Sequence, residues 1–357
     1  MAYSDIKDPS AHFQATVYTG NNTAGNVITN TGNSDLKPDL IFSSYRTSPP
    51  YTNHRCIIDS TRGRRAILES DTTAAEVLSA DNANVDLQSI NTDGFTVGQV
   101  NSTASLNAGN TSTVAWQWKA NGGTTASNTD GTITSTVQAN TDAGFSIYTY
   151  TGTGAAGTVG HGLGGLPEMI ILKGRNTTSD WPVYVDPQKD GTLQFPKLNG
   201  TDGNIGNSPF TWDTTKFTFS SASGYSNTSG TNYIAYAFRS IQGYSKIGSY
   251  VGNGNANGSF IYTGFKPAVV INKRTDSGGP WTIFDNARCP NNVNNAKLYP
   301  HTSDAEVTTT GDPVDFLSNG YKLRGSGSDC NVNGGSYIFI AFAEHPFVAG
   351  GVPTTAR

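Results

Sequence analysis

The sequence predicts an all-β protein made of three tandem β-sandwich or jelly-roll units. Gly, Thr, Asn and Ser account for 152 of the 357 residues, and this composition favours turns between short strands. A disordered chain is excluded because the sequence carries 37 large aromatic rings, which disordered chains lack. The third observation is internal repetition, since four landmarks recur three times in the same order.

The first two landmarks are an opening strand and a proline-led strand. The opening strands end in Tyr-Thr-Gly twice and in Tyr-Val-Gly once, at residues 18–20, 150–152 and 250–252. Pro38, Pro167 and Pro267 each precede a short apolar run that ends near a basic residue. Proline suits the start of a strand, where its missing N–H is not needed for the ladder. We therefore expect these three prolines at equivalent positions, each starting a buried strand.

The other two landmarks are an acidic strand end and a closing aromatic strand. Asp59, Asp186 and Asp285 follow the prolines by 21, 19 and 18 residues. Apolar closing strands are expected at residues 113–118, 233–238 and 337–342. One member of each of three residue pairs in these strands is expected to point into a core: Trp116 or Trp118, Tyr236 or Phe238, and Ile340 or Phe342.

These landmarks divide the chain into three predicted units, residues 1–120, 121–241 and 242–357. A Gly/Thr-rich linker over residues 119–128 is expected at the start of the second unit, and residues 349–357 are expected to form a tail. Only residues 72–78, with the sequence TTAAEVL, are typical of a short helix. The alternative to a true repeat is one large β-sandwich with accidentally similar strands.

Composition also excludes several functional classes. The net charge of −4 and pI near 5.7 speak against a nucleic-acid-binding surface. The sequence has no apolar run of 18 residues, and its first residues lack the pattern of a secretory signal. Cys56, Cys289 and Cys330 cannot all pair with one another. We therefore expect buried free thiols and synthesis in a reducing cytoplasm.

No pattern of side chains predicts catalysis or a cofactor. An aspartate that recurs at strand ends is more often a turn former than a catalytic acid. The five histidines are scattered, and the glycine-rich residues 160–165 lack the Lys-Ser/Thr pair of a phosphate-binding loop. Residues 81–86 alternate oxygen-bearing side chains, so a Ca²⁺ site is an alternative there to a solvated turn. We expect no catalytic residue, no metal and no cofactor.

Binding is the remaining hypothesis, and loops are its expected location. Exposed rings can stack on sugars, and amide groups can bond sugar hydroxyls, so the aromatic and Asn-rich loops permit glycan recognition. The candidate binding residues are Tyr225 and Asn227 in one loop, and Asn107 and Asn333 in its counterparts. The same composition also suits the long turns of any stable β-protein.

The landmarks resemble an uncharacterised three-fold repeat family of bacteriophage virion proteins. The phages are marine ones of the cyanophage type, and the proteins are often labelled tail fibre. The most specific phrases lie at residues 127–154, 159–163, 243–252 and 283–288, and the similarity covers nearly the whole chain. The resemblance implies lectin-like sandwich units, and it transfers no catalytic residue. The first unit departs most, because it has no Trp before Asp59 and carries a basic insertion at residues 62–65.

The resemblance and the missing catalytic pattern together imply a non-enzymatic phage virion structural protein. Host attachment, as a tail fibre or receptor-binding component, is the first hypothesis. A head decoration or capsid-fibre protein is the alternative, and a polysaccharide depolymerase is the second alternative. The expected partners are other virion proteins, namely a tail adaptor or the capsid, and a host surface glycan, with neither nucleic acid nor membrane. We expect a homo-oligomer or multiple copies in the virion, assembled in the host cytoplasm.

Overall fold

A computed structural model describes most of the chain. The described residues are 6–47, 54–82, 84–101, 106–188, 191, 193–206, 210–219 and 224–345, with the backbone of 348–349 and 352–353. The predicted all-β class is confirmed. Pro9–Ala11 is the one helical segment in these ranges, and none of their helices is long and apolar enough to span a bilayer.

The strands are short and follow one another in chain order. In unit 1 they are β1 (Phe13–Thr19), β2 (Asn26–Ile28), β3 (Leu40–Tyr45), β4 (Cys56–Asp59), β5 (Ala66–Glu69), β6 (Val77–Leu78), β7 (Leu87–Ile90), β8 (Phe95–Val97) and β9 (Ser112–Trp118). In unit 2 they are β10 (Ala126–Asn128), β11 (Ser135–Asn140), β12 (Phe145–Thr151), β13 (Gly157–Gly160), β14 (Met169–Gly174), β15 (Val183–Val185), β16 (Phe210–Trp212), β17 (Lys216–Phe219) and β18 (Asn232–Phe238). In unit 3 they are β19 (Ser245–Val251), β20 (Phe260–Tyr262), β21 (Val269–Arg274), β22 (Trp281–Asp285), β23 (Ala296–Lys297), β24 (Val307–Thr308), β25 (Val314–Leu317), β26 (Gly320–Leu323), β27 (Ser336–Phe342), β28 (Val348–Ala349) and β29 (Val352–Pro353).

One antiparallel strand order recurs in the three units. The main sheets contain the orders β1-β9-β3-β4, β12-β18-β14-β15 and β19-β27-β21-β22. A smaller sheet accompanies each of them, with the orders β2-β8-β7, β13-β17-β16 and β20-β26-β25. In every unit the opening strand therefore pairs with the closing strand, and the closing strand pairs with the proline-led strand.

The pairing register recurs as well. The proline-led strands begin two residues after Pro38, Pro167 and Pro267. Their first residues pair with the last residue of each closing strand: Leu40 with Trp118, Met169 with Phe238, and Val269 with Phe342. Asp59 and Asp285 end the next strand, whereas Asp186 lies one residue beyond β15. The unit boundaries and an origin by duplication stay predictions.

Two local predictions were wrong. Residues 72–78 form no helix, because Glu76 is held in an extended backbone by its N–H bond to the carbonyl of Arg175, 2.7 Å away, and Val77–Leu78 pairs with β5. Part of the expected linker, Ala126–Asn128, forms β10 at the edge of the second main sheet. In both places a tertiary contact decides the local structure.

Each unit has an apolar core between its two sheets. In unit 1 this core includes Ile41, Ile58 and Phe95, all at most 1% exposed. The equivalent cores of units 2 and 3 are formed around Phe217 and Tyr321, which are fully buried. These cores use the side chains of one face of each main sheet, since successive residues of a strand point to opposite faces.

The opposite faces of the three main sheets meet in a larger, shared core, called the axial core here. Both members of each predicted pair lie in it: Trp116 and Trp118, Tyr236 and Phe238, Ile340 and Phe342. The expectation of one inward member was wrong, because residues two apart share a face. The rings of Trp118, Phe238 and Phe342 contact one another, with centroid separations of 6.4, 5.5 and 5.8 Å. The three units are therefore arranged around a common axis.

A small apolar cavity of about 60 Å³ lies on this axis. Phe42, Ile171 and Ile271 occupy the same register position in the three units, opposite Trp116, Tyr236 and Ile340, and all three line the cavity. Two of the three units thus place an isoleucine where unit 1 places a larger ring. The space is apolar, and such a cavity stays dry.

Filling this cavity should stabilise the fold. We expect Ile271→Phe to raise the free energy of unfolding by roughly 0.5–2 kcal/mol, as cavity-filling changes commonly do. We expect Ile271→Ala to lower it by roughly 2–5 kcal/mol, because it enlarges the void. Chemical denaturation of the two variants and the parent chain measures both effects, and a loss of stability in Ile271→Phe would contradict the assignment of free space.

Candidate functional site

Two of the three recurring aspartates are fixed by hydrogen bonds that reach a neighbouring unit, whereas Asp186 accepts a bond from the Gly191 N–H of its own unit at 2.9 Å. Asp59 accepts a bond of 2.5 Å from Arg62 Nε and one of 2.7 Å from the Tyr236 hydroxyl of unit 2. Asp285 repeats this arrangement with Arg288 Nε at 2.6 Å and the indole N–H of Trp116, in unit 1, at 2.9 Å. The side chains of Asp59 and Asp285 are fully buried. They join neighbouring units and are not placed to act on a substrate.

A glutamate extends the first of these clusters across the boundary between units 1 and 2. Glu76 makes a bidentate pair with Arg175 at 2.9 and 2.8 Å, and it accepts a third bond from Arg62 at 2.9 Å. Burial alone would raise the pKa of Glu76, but the bonds from Arg175 and Arg62 outweigh burial and lower it. This carboxylate is ionised and already accepts three hydrogen bonds, so it does not suit the role of a general acid.

The same arrangement lies between units 3 and 1. Glu306 makes a bidentate pair with Arg46 at 2.9 Å in both bonds, and it accepts a third bond from Arg288 at 2.9 Å. Burial again opposes these bonds, and again they lower the pKa of Glu306. Both boundaries therefore depend on charge-assisted bonds of the stronger kind.

Two other carboxylates converge in unit 3, on one lysine. Lys297 Nζ lies 2.8 Å from Asp312 and 2.7 Å from Asp329. Burial would lower the pKa of Lys297, but bonds to the two aspartates outweigh burial and raise it. A glycosidase needs two carboxyl groups that flank an open position, and here a buried ammonium group stands between them.

Two of the three cysteines, Cys56 and Cys330, are buried as expected, whereas Cys289 is half-buried. Burial raises the pKa of the Cys56 and Cys330 thiols, which disfavours the nucleophilic thiolate. His161 is buried, and its Nδ1 accepts a bond from the Leu163 N–H at 3.1 Å. In the described ranges, no group of three His, Cys, Asp or Glu side chains could hold a metal ion.

The expected alternative of a Ca²⁺ site at residues 81–86 meets competing bonds, and residue 83 lies outside the described residues. Asp86 accepts bonds from the Ser79 hydroxyl at 2.6 Å and from the Asn101 N–H at 3.1 Å. Asp81 pairs with Arg65 at 3.2 Å. These contacts favour the solvated turn as the interpretation of this segment.

Two of the candidate binding residues hold loops together instead of facing solvent. Asn107 is 1% exposed; its Oδ1 accepts a bond from the Asn21 N–H at 2.9 Å, and its Nδ2 donates to the Gly98 carbonyl at 2.8 Å. Asn227 is fully buried and accepts a bond from the Thr153 N–H at 2.9 Å. A receptor would have to break these bonds to reach either amide.

The third loop has an equivalent buried asparagine, which was not among the residues predicted from the sequence. Asn331 is fully buried; it accepts a bond from the Asn253 N–H at 2.8 Å and donates to the Gly325 carbonyl at 2.7 Å. The signal was present in the sequence, since Asn107, Asn227 and Asn331 each lie five residues before the closing strand. Each of these asparagines joins two loops. We call the three pairs of loops the pinned loops.

The other two candidates are more accessible. Asn333 is exposed, and Tyr225 is half-buried with its ring 5.4 Å from that of Phe195. The pinned loops also expose the amide side chains of Asn253, Asn255 and Asn257. The four exposed asparagines of unit 3 lie at the end of its main sheet opposite Phe342, because they follow β19 and precede β27. A rigid, neutral, amide-rich surface is therefore the best candidate site, and a binding role for the four predicted residues stays a prediction.

Comparison with known proteins gives one match. The model of a family described as a domain of unknown function, DUF7483, matches residues 8–346. The chain belongs to the DUF7483 family. No curated protein and no solved structure matches it. The matched range spans all three main sheets, so this DUF7483 domain corresponds to the complete ring of units and not to a single sandwich.

The pinned loops should depend on their buried asparagines. In this DUF7483 chain we expect Asn331→Ala to cost about 1–3 kcal/mol, because it leaves buried backbone groups unpaired. Hydrogen exchange should accelerate at residues 253–257, whose order depends on that side chain. Asn333→Ala, at an exposed position two residues away, is the matched control and should change neither quantity. Unchanged exchange in Asn331→Ala would contradict the pinning role.

Glu344 gives a pH-dependent test of the fold. Burial, with a smaller contribution from Asp285, raises the pKa of Glu344 from 4.5 to about 7. The folded state therefore binds this proton more tightly than the unfolded state, and stability falls as the pH rises through this interval. Glu344→Gln should be more stable than the parent by roughly 2–3 kcal/mol at pH 8, and the difference should vanish near pH 4. Denaturation curves across this range test the sign.

Proposed function

We propose that this chain is a non-enzymatic phage virion structural protein that serves in host attachment, as a tail fibre or receptor-binding component. The proposal combines the resemblance described above with the geometry of the pinned loops. The carboxylates of Asp59 and Asp285, and the clusters around Glu76, Glu306 and Lys297, are already engaged with arginine, lysine, tyrosine or tryptophan side chains. What remains accessible is suited to contact rather than to proton transfer.

The observation that carries this proposal is the preorganisation of the pinned loops. Buried amides hold these loops before any ligand arrives, so little conformational entropy is lost on binding. The loops present exposed asparagine side chains, which can both donate to and accept from sugar hydroxyls. Three such surfaces on one chain, and many chains on a particle, would raise the avidity of individually weak contacts.

Head decoration is the second candidate, and the arrangement of the units favours it. Three similar units around one axis give the molecule an approximate three-fold symmetry. A surface of that symmetry fits a place where three copies of another protein meet, such as a local three-fold position on a capsid. In this role the three units would make equivalent contacts with three neighbouring subunits.

Adhesion without turnover is the expected behaviour of the purified protein. It should bind host cells or another virion protein, and it should release no reducing sugar from host envelope polysaccharide. Exposed asparagines provide a matched pair of variants. Asn333→Ala, in a pinned loop, should weaken adhesion, whereas Asn33→Ala, in an exposed loop at the opposite end of unit 1, should not.

The outcomes separate the hypotheses. Sustained release of oligosaccharide would overturn the non-enzymatic role and favour the depolymerase. Binding to capsids without adhesion to cells would replace host attachment by head decoration. Equal adhesion of both asparagine variants would contradict the assignment of the surface, and binding to neither cells nor virion proteins would contradict the proposal as a whole.

A further inference from the structure

On one side of each sandwich, called the open side here, the opening strand of the main sheet faces the first strand of the smaller sheet. These strands are β1 and β2 in unit 1, β12 and β13 in unit 2, and β19 and β20 in unit 3, and of the three opening strands β1 and β19 lie at the edge of their sheets. An edge strand presents unpaired backbone groups and readily accepts another strand. What happens at this side differs between the units.

In unit 2 the chain itself fills the open side. β11 pairs antiparallel with β12, with Thr136 opposite Thr149 and Gln138 opposite Ile147. The same segment reaches β13, since the Ile133 N–H donates to the Thr158 carbonyl at 2.9 Å. Ile133 and Val137, each at most 9% exposed, become part of the unit 2 core. The inserted segment therefore extends the main sheet of unit 2 and also covers its apolar core.

The backbone register identifies the corresponding free edges. Bonds such as that from the Gly152 N–H to the Thr231 carbonyl turn the even-numbered residues of β12 toward β18 and its odd-numbered residues toward β11. The Gly20 and Gly252 N–H groups make the equivalent bonds in units 1 and 3. Val17 and Ser249 therefore correspond to Thr149, with their backbone groups turned outward. In the described ranges, no strand pairs with the outer side of β1 or β19.

The side chains at these two open sides are unusually apolar. Val27 on β2 is 59% exposed, and Phe260 and Tyr262 on β20 are 44% and 59% exposed. In unit 2 the position of Tyr262 is taken by Gly160, where any side chain would overlap Asn128 at the end of β10. Grooves of about 400 Å³ and 310 Å³ lie along β1 and β19.

Within the part of the chain that the structure describes, no segment adds a strand at either of the two grooves. Only residues 239–244 connect β18 to β19, and they form a turn in which the Ser245 N–H bonds the Ile241 carbonyl at 2.9 Å. Before β1, Ile6 packs into the axial core and Pro9–Ala11 forms a helical turn. Neither of the described segments that precede β1 and β19 therefore fills these grooves as β11 fills the open side of unit 2.

We propose that β1 and β19 are binding sites for an extended segment of a partner protein, which adds an antiparallel strand to each main sheet. The segment carries small or β-branched side chains at alternate positions, as β11 does with Val137 and Ala139. Backbone bonds to the edge supply affinity, and the exposed apolar residues form pockets for the alternate side chains. This inference rests on the fold and does not depend on host attachment or head decoration.

A peptide with the sequence of residues 133–140, ITSTVQAN, is the probe, because it matches the segment that fills the groove of unit 2. Fluorescence anisotropy and calorimetry should show saturable binding of two peptides per chain. Proline removes a backbone donor but is tolerated on edge strands. Val17→Pro and Ser249→Pro should each remove one of the two sites, and the double variant should bind no peptide. Ser249→Thr keeps the N–H and is the control.

A second pair of variants does not depend on proline. Phe260→Ala and Tyr262→Ala shorten exposed side chains of the groove wall, so the fold should be retained and the affinity at the β19 site should fall at least five-fold. Absence of saturable binding, or binding that none of these variants changes, would overturn the proposal. If the chain forms dimers and the proline variants dissociate them, the occupant of the grooves is a second copy of this chain and not a partner protein.

Discussion

The contact of Trp118, Phe238 and Phe342 on the common axis is the constraint on which the structure depends. A β-sheet with one apolar face can complete a sandwich by covering that face alone. Here both faces of each main sheet are apolar, so the second face needs another partner. Three such faces satisfy one another when they close around an axis. The family match from residue 8 to residue 346 is consistent with a unit of folding that contains all three sheets.

Closure around the axis follows from one contact repeated in a cycle. Arg55 of unit 1 donates to the Tyr299 carbonyl of unit 3 at 3.1 Å. Trp281 of unit 3 donates to the Lys197 carbonyl of unit 2 at 2.7 Å, and Trp181 of unit 2 donates to the Glu69 carbonyl of unit 1 at 2.9 Å. The three donors occupy corresponding positions, just before β4 and β15 and at the start of β22. A head-to-tail contact whose rotation closes makes a ring instead of a filament, and here a single chain provides all three contacts.

The sequence was sufficient to predict the main strands, but it did not predict that the three units close into a ring. Pro38, Pro167 and Pro267 and the closing strands could be located because local chemistry dictates them. Trp116 was a predicted core candidate, but the alternation of side chains along a strand does not show whether a second apolar face contacts solvent, another sheet or a common axis. The buried role of Asn107 and Asn227 was hidden for a related reason. The sequence does not distinguish an exposed asparagine, which could bind a ligand, from a buried one that holds loops together. The difference depends on the carbonyl groups that surround the side chain in the folded protein.

The three boundaries of the ring are not held by the same interactions. Bidentate Arg–Glu pairs bridge units 1 and 2 and units 3 and 1. At the third boundary the corresponding backbone bond joins Asn204 to Thr275, and both side chains are neutral. Units 2 and 3 are linked by the six-residue turn from 239 to 244, which keeps them together at high effective concentration. Units 3 and 1 are joined by no such link, since the whole of unit 2 separates them along the chain. The Arg46–Glu306 pair therefore supports the boundary that closes the ring, where the chain itself does least to hold the units together, and the equivalent Arg175–Glu76 pair reinforces the boundary between units 1 and 2.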